Sequence, residues 1–265
     1  MISKNKIKYI HSLELKKNRN KEGLFVAEGH KVVDDLIALQ SAELIVATAE
    51  WLHGKHIAPQ TEVIEVTEEE LRKVSFLQHP QQVLAVFQQD LGYPGACDKE
   101  GMVSLAEYGF SGIDLSQLSL ALDGVQDPGN LGTIIRIADW FGIDHIYCSQ
   151  DTADVYNPKV VQATMGSIAR VKVEYGDLLG MISSMPAEVP VYGTLLDGDN
   201  IYQQQLLNHG IIVMGNEGKG ISQALTRKVN RKLLIPNFPE GRPTADSLNV
   251  AIATAITCAE FRRQA

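Results

Sequence analysis

The stretch from Leu118 to Ser149 limits the possible folds most sharply, because it reads strand, loop, helix, strand. An apolar run, Leu118 to Leu122, ends at Asp123-Gly124, and a turn-rich loop, Gln126-Asp127-Pro128-Gly129-Asn130, follows. From Asn130 onward, Leu131, Ile134, Ile135, Ala138 and Gly142 recur at the spacing of one helix face. His145 to Cys148 is a second short apolar run. Two strands joined through a helix over so short a stretch pair in parallel, so the stretch predicts one turn of a parallel α/β sheet.

Two polar residues of this unit stand out. Asn130 sits where a helix N-cap belongs, and capping alone would account for it. Arg136 lies well off the apolar stripe, where a solvated residue paired with Asp139 is the ordinary expectation.

The alternation continues on both sides. Upstream, the pattern predicts a helix over 3–17, a loop over 18–23, and a strand at 24–27. A helix from Glu28-Gly29 to about Gln40, a strand at 44–47, a helix at 49–53 and a strand at 62–66 follow. Thr67 and Glu70 have the spacing of a capping box that opens a helix to Phe76. A strand at 83–87 closes a small α/β domain, residues 1–90. Residues 91–117 are punctuated by glycine and proline without a sustained period, which predicts a linker with room for a hairpin. Residues 118–265 form a second α/β domain, with helices at 157–168, 177–185 and 201–207 and strands at 171–173 and 189–195.

Composition narrows the class. The 265 residues carry a net charge of −8, against a nucleic-acid partner at first sight. Residues 1–31, however, hold eight Lys or Arg against three Glu, a basic segment on an acidic chain. No run approaches the roughly 18 apolar residues of a membrane span, and the lysine-rich start lacks the apolar core of a signal peptide. Cys97, Cys148 and Cys258 are odd in number and far apart, the usage of a reducing cytoplasm.

Two further stretches carry chemistry. Gly210 to Ser222 runs a buried strand into Gly215-Asn216-Glu217-Gly218-Lys219-Gly220. Its glycines permit tight turns or close approach to a ligand, but their order matches neither a dinucleotide fingerprint nor a phosphate loop. The other runs from Leu233 through Ile235-Pro236 to Ser247-Leu248-Asn249-Val250. There a strand ends, a loop follows, and a helix rich in small apolar residues starts near Asp246, with Asp246 or Ser247 as candidate N-caps.

Asp123-Gly124-x-x-Asp127-Pro128-Gly129-Asn130-Leu131-Gly132-x-Ile134-x-Arg136 resembles the first motif of the SpoU (TrmH) family of RNA 2'-O-ribose methyltransferases, in the SPOUT superfamily. Gly-Asn-Glu-Gly-x-Gly-Ile-Ser resembles the second motif, and Ile-Pro followed by Ser-Leu-Asn-Val the third. Leu24-Phe25-Val26-Ala27-Glu28-Gly29-His30 looks like the entry of the substrate-binding domain that precedes many catalytic domains of that family and is similar to RNA-binding ribosomal proteins. Pro236 and Ser247 stand further apart than in the common pattern, with Phe238 to Thr244 as the extra stretch on the rim of the cofactor pocket.

The resemblance implies a parallel sheet with helices on both faces, whose C-terminal segment threads a trefoil knot. It implies S-adenosyl-methionine on the loops around Thr194-Leu195, Gly215-Asn216-Glu217-Gly218, Ile235-Pro236 and Leu248. It places Asn130, Arg136, Glu217, Ser247 and Asn249 around the reaction, with Glu217 orienting Arg136 or the pocket. It further implies a homodimer through the catalytic domain, a reaction that needs no metal, no membrane, and RNA as substrate, ribosomal RNA ahead of tRNA. The competing expectation is a non-catalytic RNA-binding protein that keeps the fold.

Overall fold

The computed structural model describes residues 2–91, 102–239, 242–243 and 245–265. In chain order the elements are α1 (Lys4–Ser12), α2 (Lys16–Glu22), β1 (Leu24–Glu28), α3 (His30–Leu39), β2 (Leu44–Ala47), α4 (Ala49–Leu52), β3 (Glu62–Glu65), α5 (Glu68–Val74) and β4 (Val83–Gln88). Then come β5 (Met102–Ser104), β6 (Gly112–Asp114), β7 (Leu118–Asp123), α6 (Pro128–Trp140), β8 (His145–Ser149), α7 (Pro158–Thr164), β9 (Lys172–Gly176) and α8 (Leu178–Ser184). The chain ends with β10 (Val191–Asn200), β11 (Gly210–Gly215), α9 (Gln223–Thr226), β12 (Arg231–Leu234) and α10 (Val250–Arg263). Contacts divide it into two units, Met1–Pro94 with Asp154–Arg170, and Gly95–Ala153 with Val171–Ala265.

The first unit is a four-stranded sheet in the order β1-β4-β2-β3, antiparallel except for β2 with β3. Ile10, Leu13, Val26, Val46, Leu71 and Leu84 are buried together in its core. Thr67 and Glu70 form the expected capping box at the start of α5. The predicted helix over 3–17 is instead two helices, and the predicted loop at 18–23 is mostly α2. The break has a physical cause. Arg19, 1% exposed, donates to the carbonyls of Leu13 (2.9 Å) and Glu14 (2.6 Å), and Asn18 donates to that of Ser12 (2.7 Å). Side chains of α2 thus satisfy carbonyls that a continuous helix would have used. Arg19 also pairs with Asp154 at 2.5 Å, and Val160 and Val161 of α7 are buried. A buried pair and an apolar helix face bind Asp154–Arg170 to this unit, although sequence order alone assigned the segment to 118–265.

The second unit is built on six parallel strands in the order β12-β10-β11-β7-β8-β9. On one face Ala121, Tyr147, Ile211 and Val213 pack with Leu178, Met181 and Ile182 of α8 and Leu225 of α9. Side chains alternate along a strand, so Leu120, Leu122, Ile212 and Met214 point the other way, and all are buried. That face belongs to α6 and α10, which pack on each other and on β8 and β11. Of the predicted linker, residues 92–101 lie outside those described. The rest forms the antiparallel pair β5–β6, and Leu105, Phe110 and Ile113 enter the core beside Tyr147, whose hydroxyl donates to the Gly112 carbonyl at 2.6 Å. Of the helix predicted at 201–207, only a 3-10 turn over Ile201–Gln203 forms, and β10 runs on to Asn200.

α6 and α10 lie side by side in the same direction. Asn249 at the start of α10 bonds Asn130 in the first turn of α6. At the far end Arg262 donates to the carbonyls of Phe141 (2.7 Å) and Gly142 (2.9 Å), which close α6. Both positive helix ends therefore point to one place.

Candidate active site

The site begins with how two helices start. Asp127, not Asn130, caps α6: its carboxylate accepts the Asn130 N–H at 2.8 Å, and Pro128 takes the first helical position. The proline is the sequence signal that would have located this cap. Asn130, freed from capping, turns its side chain toward Glu217. Likewise α10 starts at Val250 and not near Asp246, and its cap is Asn249 rather than Asp246 or Ser247. The Asn249 Oδ1 accepts from the N–H groups of Ala251 (3.0 Å) and Ile252 (3.3 Å).

These side chains form one directed chain of hydrogen bonds. Asn249 Nδ2 donates to Asn130 Oδ1 at 2.9 Å, and Asn130 Nδ2 donates to Glu217 Oε1 at 3.0 Å. Its polarity is fixed at both ends, by a carboxylate that only accepts and by helix N–H groups that only donate. Glu217 also accepts from the backbone of Asp127 (3.1 Å) and Gln126 (3.2 Å). Partial burial pushes the Glu217 carboxyl up, but the donors, Asn130 foremost, outweigh it and hold the group below the usual carboxylate range.

The loop after β11 is stapled at further points. Asn216 donates to the Gly124 carbonyl (2.7 Å) and accepts from the N–H groups of Gly218 and Lys219, both at 3.0 Å. Asp123 accepts the Ser222 N–H at 2.7 Å. Gly215 has to be glycine here, since a Cβ would stand 2.2 Å from the backbone of Gly220 and Ile221. Asp123 and the capping Asp127 are working parts of this site that the sequence reading left unassigned.

Of the five expected reaction residues, Asn130, Glu217 and Asn249 are thus joined. Arg136 lies six residues further along α6, exposed, with no hydrogen bond or ion pair to any described residue, Asp139 included. Of the two roles expected for Glu217, orienting Arg136 or the pocket, its bonds are to the pocket: it holds Asn130 and the start of α6. Ser247 is exposed, two residues before Asn249.

The expected cofactor residues lie in or just after three adjacent strands, β12, β10 and β11. Thr194 lies in β10, opposite Leu233 of β12, and its hydroxyl reaches the Met214 sulfur of β11 at 3.6 Å. Gly215 ends β11, and Ile235-Pro236 follow β12. The β10–β12 register shifts between Thr194 and Asp199, both opposite Leu233, so Leu195 to Gly198 have no ladder partner. Backbone donors and acceptors released at the ends of parallel strands are where open α/β sheets hold ligands. That fits a nucleoside-bearing cofactor held largely by main-chain groups. Leu248, 51% exposed, stands just before α10. On the longer stretch, Asn237 donates to the Arg242 carbonyl at 3.0 Å and Phe238 is 92% exposed. Glu240, Gly241 and Thr244 lie outside the described residues.

Comparison with known proteins agrees with this geometry. Residues 117–259 match the SpoU rRNA Methylase family, and residues 4–85 match the MRM3-like substrate binding domain. The 23S rRNA (guanosine(2553)-2'-O)-methyltransferase of Bacillus subtilis is 30% identical over 97% of this chain and 96% of its own length. A TrmH-family structure from Porphyromonas gingivalis is 38% identical over the whole of both chains, with a TM-score of 0.82. The AdoMet-bound rRNA methyltransferase of Sinorhizobium meliloti is 31% identical, covers 99% of this chain and 96% of its own, and has a TM-score of 0.80. With three motifs in order, their loops joined by hydrogen bonds, and a family match over more than half its length, the chain belongs to the SpoU family of RNA 2'-O-methyltransferases.

Proposed function

We propose that this protein transfers a methyl group to the ribose 2'-hydroxyl of a nucleotide in large-subunit ribosomal RNA, guanosine before other nucleotides. The Asn249–Asn130–Glu217 chain carries the reading, because it ties all three family motifs into one site. The guanosine preference rests on the B. subtilis relative, aligned over nearly its whole length. The substrate-binding match over residues 4–85 supports the first unit as the RNA-holding part.

S-adenosyl-methionine, when bound, supplies a methyl group on a positively charged sulfur. Thr194, Leu195, Gly215, Asn216, Gly218, Ile235, Pro236 and Leu248 would hold it, mainly by backbone groups. The remaining work is alignment, which in favourable cases lowers a barrier by about 7–11 kcal/mol. Glu217 is already committed to three N–H donors, so its role is to hold Asn130 and the start of α6. Arg136, with its planar fork of donors, is free to clamp a phosphate of the target and to stabilise negative charge developing on the ribose oxygen. Ser247 and Asn249 border the ribose.

Three finer features belong to the same proposal. β12 is an edge strand, yet α10 returns to α6 and β11 in the middle of the sheet; that connection supports a threaded C-terminal knot. Trp140 on α6 and Ile252 on α10 are 83% and 52% exposed, which supports a homodimer through these helices. Cys148 and Cys258 are buried free thiols, in keeping with a reducing cytoplasm. Among the described residues no helix is long and apolar enough to cross a membrane.

Mapping ribose methylation in cells lacking the protein tests the reading: one ribosomal RNA site should lose its methyl group and regain it on complementation. Calorimetry with S-adenosyl-methionine separates this from the non-catalytic alternative. Cofactor binding with no methyl transfer to unmodified ribosomal RNA would favour that alternative.

A further inference from the structure

In a chain with a net charge of −8, the stretch from the reaction loop to the outer strand is basic: Lys219, Arg227, Lys228, Arg231 and Lys232 face only one carboxylate, Glu217, in the same stretch. Lys219 is exposed in the Glu217 loop, Arg227 and Lys228 are exposed just past α9, and Arg231 is exposed where β12 begins. β12 is the edge strand, so these cations run from the carboxyl end of β11 to the amino end of the sheet's rim.

Charge on an edge strand is ordinarily explained as protection against pairing with another chain. One cation here fits that account: Lys232 pairs with Asp197 at 2.6 Å. The opposite edge fits it as well. There Lys172 on β9 is satisfied by Glu174 at 3.3 Å and by Ser111, next to the β5–β6 pair, at 2.7 Å. Arg227, Lys228 and Arg231 differ, because none makes an ion pair among the described residues. Nor does Glu188, the carboxylate beside the Val189 carbonyl that Asn230 grips, join them. Edge protection needs charge; it does not need three cations left without counter-charge on a protein rich in carboxylates.

We propose that Arg227, Lys228 and Arg231 form a second RNA contact, a track on the catalytic unit that holds the phosphate backbone of RNA leading away from the target nucleotide. A group of exposed, unpaired cations at the amino end of the sheet's rim, reached from the reaction loop through α9, is the footprint of a polyanion read by charge. Phosphate contacts of this kind set register and orientation and carry no sequence information. The track would therefore lower KM for RNA and leave both base choice and chemistry alone. The inference rests on the RNA methyltransferase reading above.

The test uses the full chain with unmodified 23S ribosomal RNA made in vitro, comparing wild type with the triple variant Arg227→Gln, Lys228→Gln, Arg231→Gln. Binding is measured across about 50–200 mM salt, where each lost single-strand phosphate contact flattens the log–log slope by about 0.7. The triple variant should flatten it by about 2, raise KM for RNA at least tenfold, and keep kcat and S-adenosyl-methionine affinity at wild-type values. An unchanged slope and KM in a variant that methylates normally would overturn the track while leaving the enzyme reading intact. A wild-type protein that neither binds nor methylates this RNA would instead count against that reading. A triple Glu variant guards against too mild a substitution and should lose more affinity than the Gln variant.

Discussion

The loops after β7 and β11 are anchored very differently from the segment that follows β12. The first two are stitched together by Glu217 to Gln126, Asp127 and Asn130, by Asn216 to Gly124, and by Asp123 to Ser222. The third reaches them, among the side-chain bonds of the described residues, only through Asn249. Its Asn237 and Arg242 bond within the segment itself, and Ser247 and Leu248 are exposed. A site whose first two walls are preset and whose third hangs on one amide is rigid where alignment matters. It stays open on the side a ligand can complete.

The largest effect should come from cutting the preset walls. Glu217→Ala leaves three N–H donors without their carboxylate, and kcat should fall about 100-fold or more. Single-turnover methylation checks this; a fall of less than threefold would mean the staple is not needed for catalysis.

Asn249 separates capping from bridging. Asn249→Asp keeps an acceptor for the Ala251 and Ile252 N–H groups, but sets a carboxylate against the Asn130 oxygen. It should hold the melting temperature and lower kcat about tenfold, worth ~1.4 kcal/mol. Asn249→Ala loses both functions and should also cost about 1 kcal/mol of stability. Equal activity in the Asp and wild-type proteins would show that the third segment is not positioned through this amide.

Acid should loosen the staple. The Glu217 carboxyl sits below its unfolded value, so its contribution is full above the ordinary glutamate pKa of about 4.3 and is lost as pH falls through the lower folded value. Urea titrations of wild type and Glu217→Gln should therefore differ near neutrality and converge on acidification. Parallel curves down to about pH 3 would remove the carboxylate from this role.

The smallest effects lie away from the site. Arg262→Ala uncovers the Phe141 and Gly142 carbonyls and should cost about 1–2 kcal/mol. Activity should fall with it, because the register of α6 against α10 sets the Asn130–Asn249 contact. Thr67→Ala removes the capping box of α5 and should cost about 1 kcal/mol with no change in kcat. If both variants lost the same activity, the link between helix register and the site would be only general stability.

Patterns carried by neighbours along the chain were legible in the sequence. The parallel unit at Leu118–Ser149, the apolar stripe of α6 and the Thr67 capping box follow from local spacing, since periodicity and turn chemistry act over a few residues, while the three motif loops were legible through their resemblance to the SpoU family. Partners distant in the chain decided the rest. The caps at Asp127 and Asn249 released Asn130 toward Glu217. Arg19 split a predicted helix by bonding carbonyls of the preceding turn and pairing with Asp154. α7 joined the first unit through buried valines. A hydrogen-bonding side chain looks the same in sequence whether it caps its own helix or reaches across the fold; its choice depends on which unsatisfied group the tertiary structure brings near.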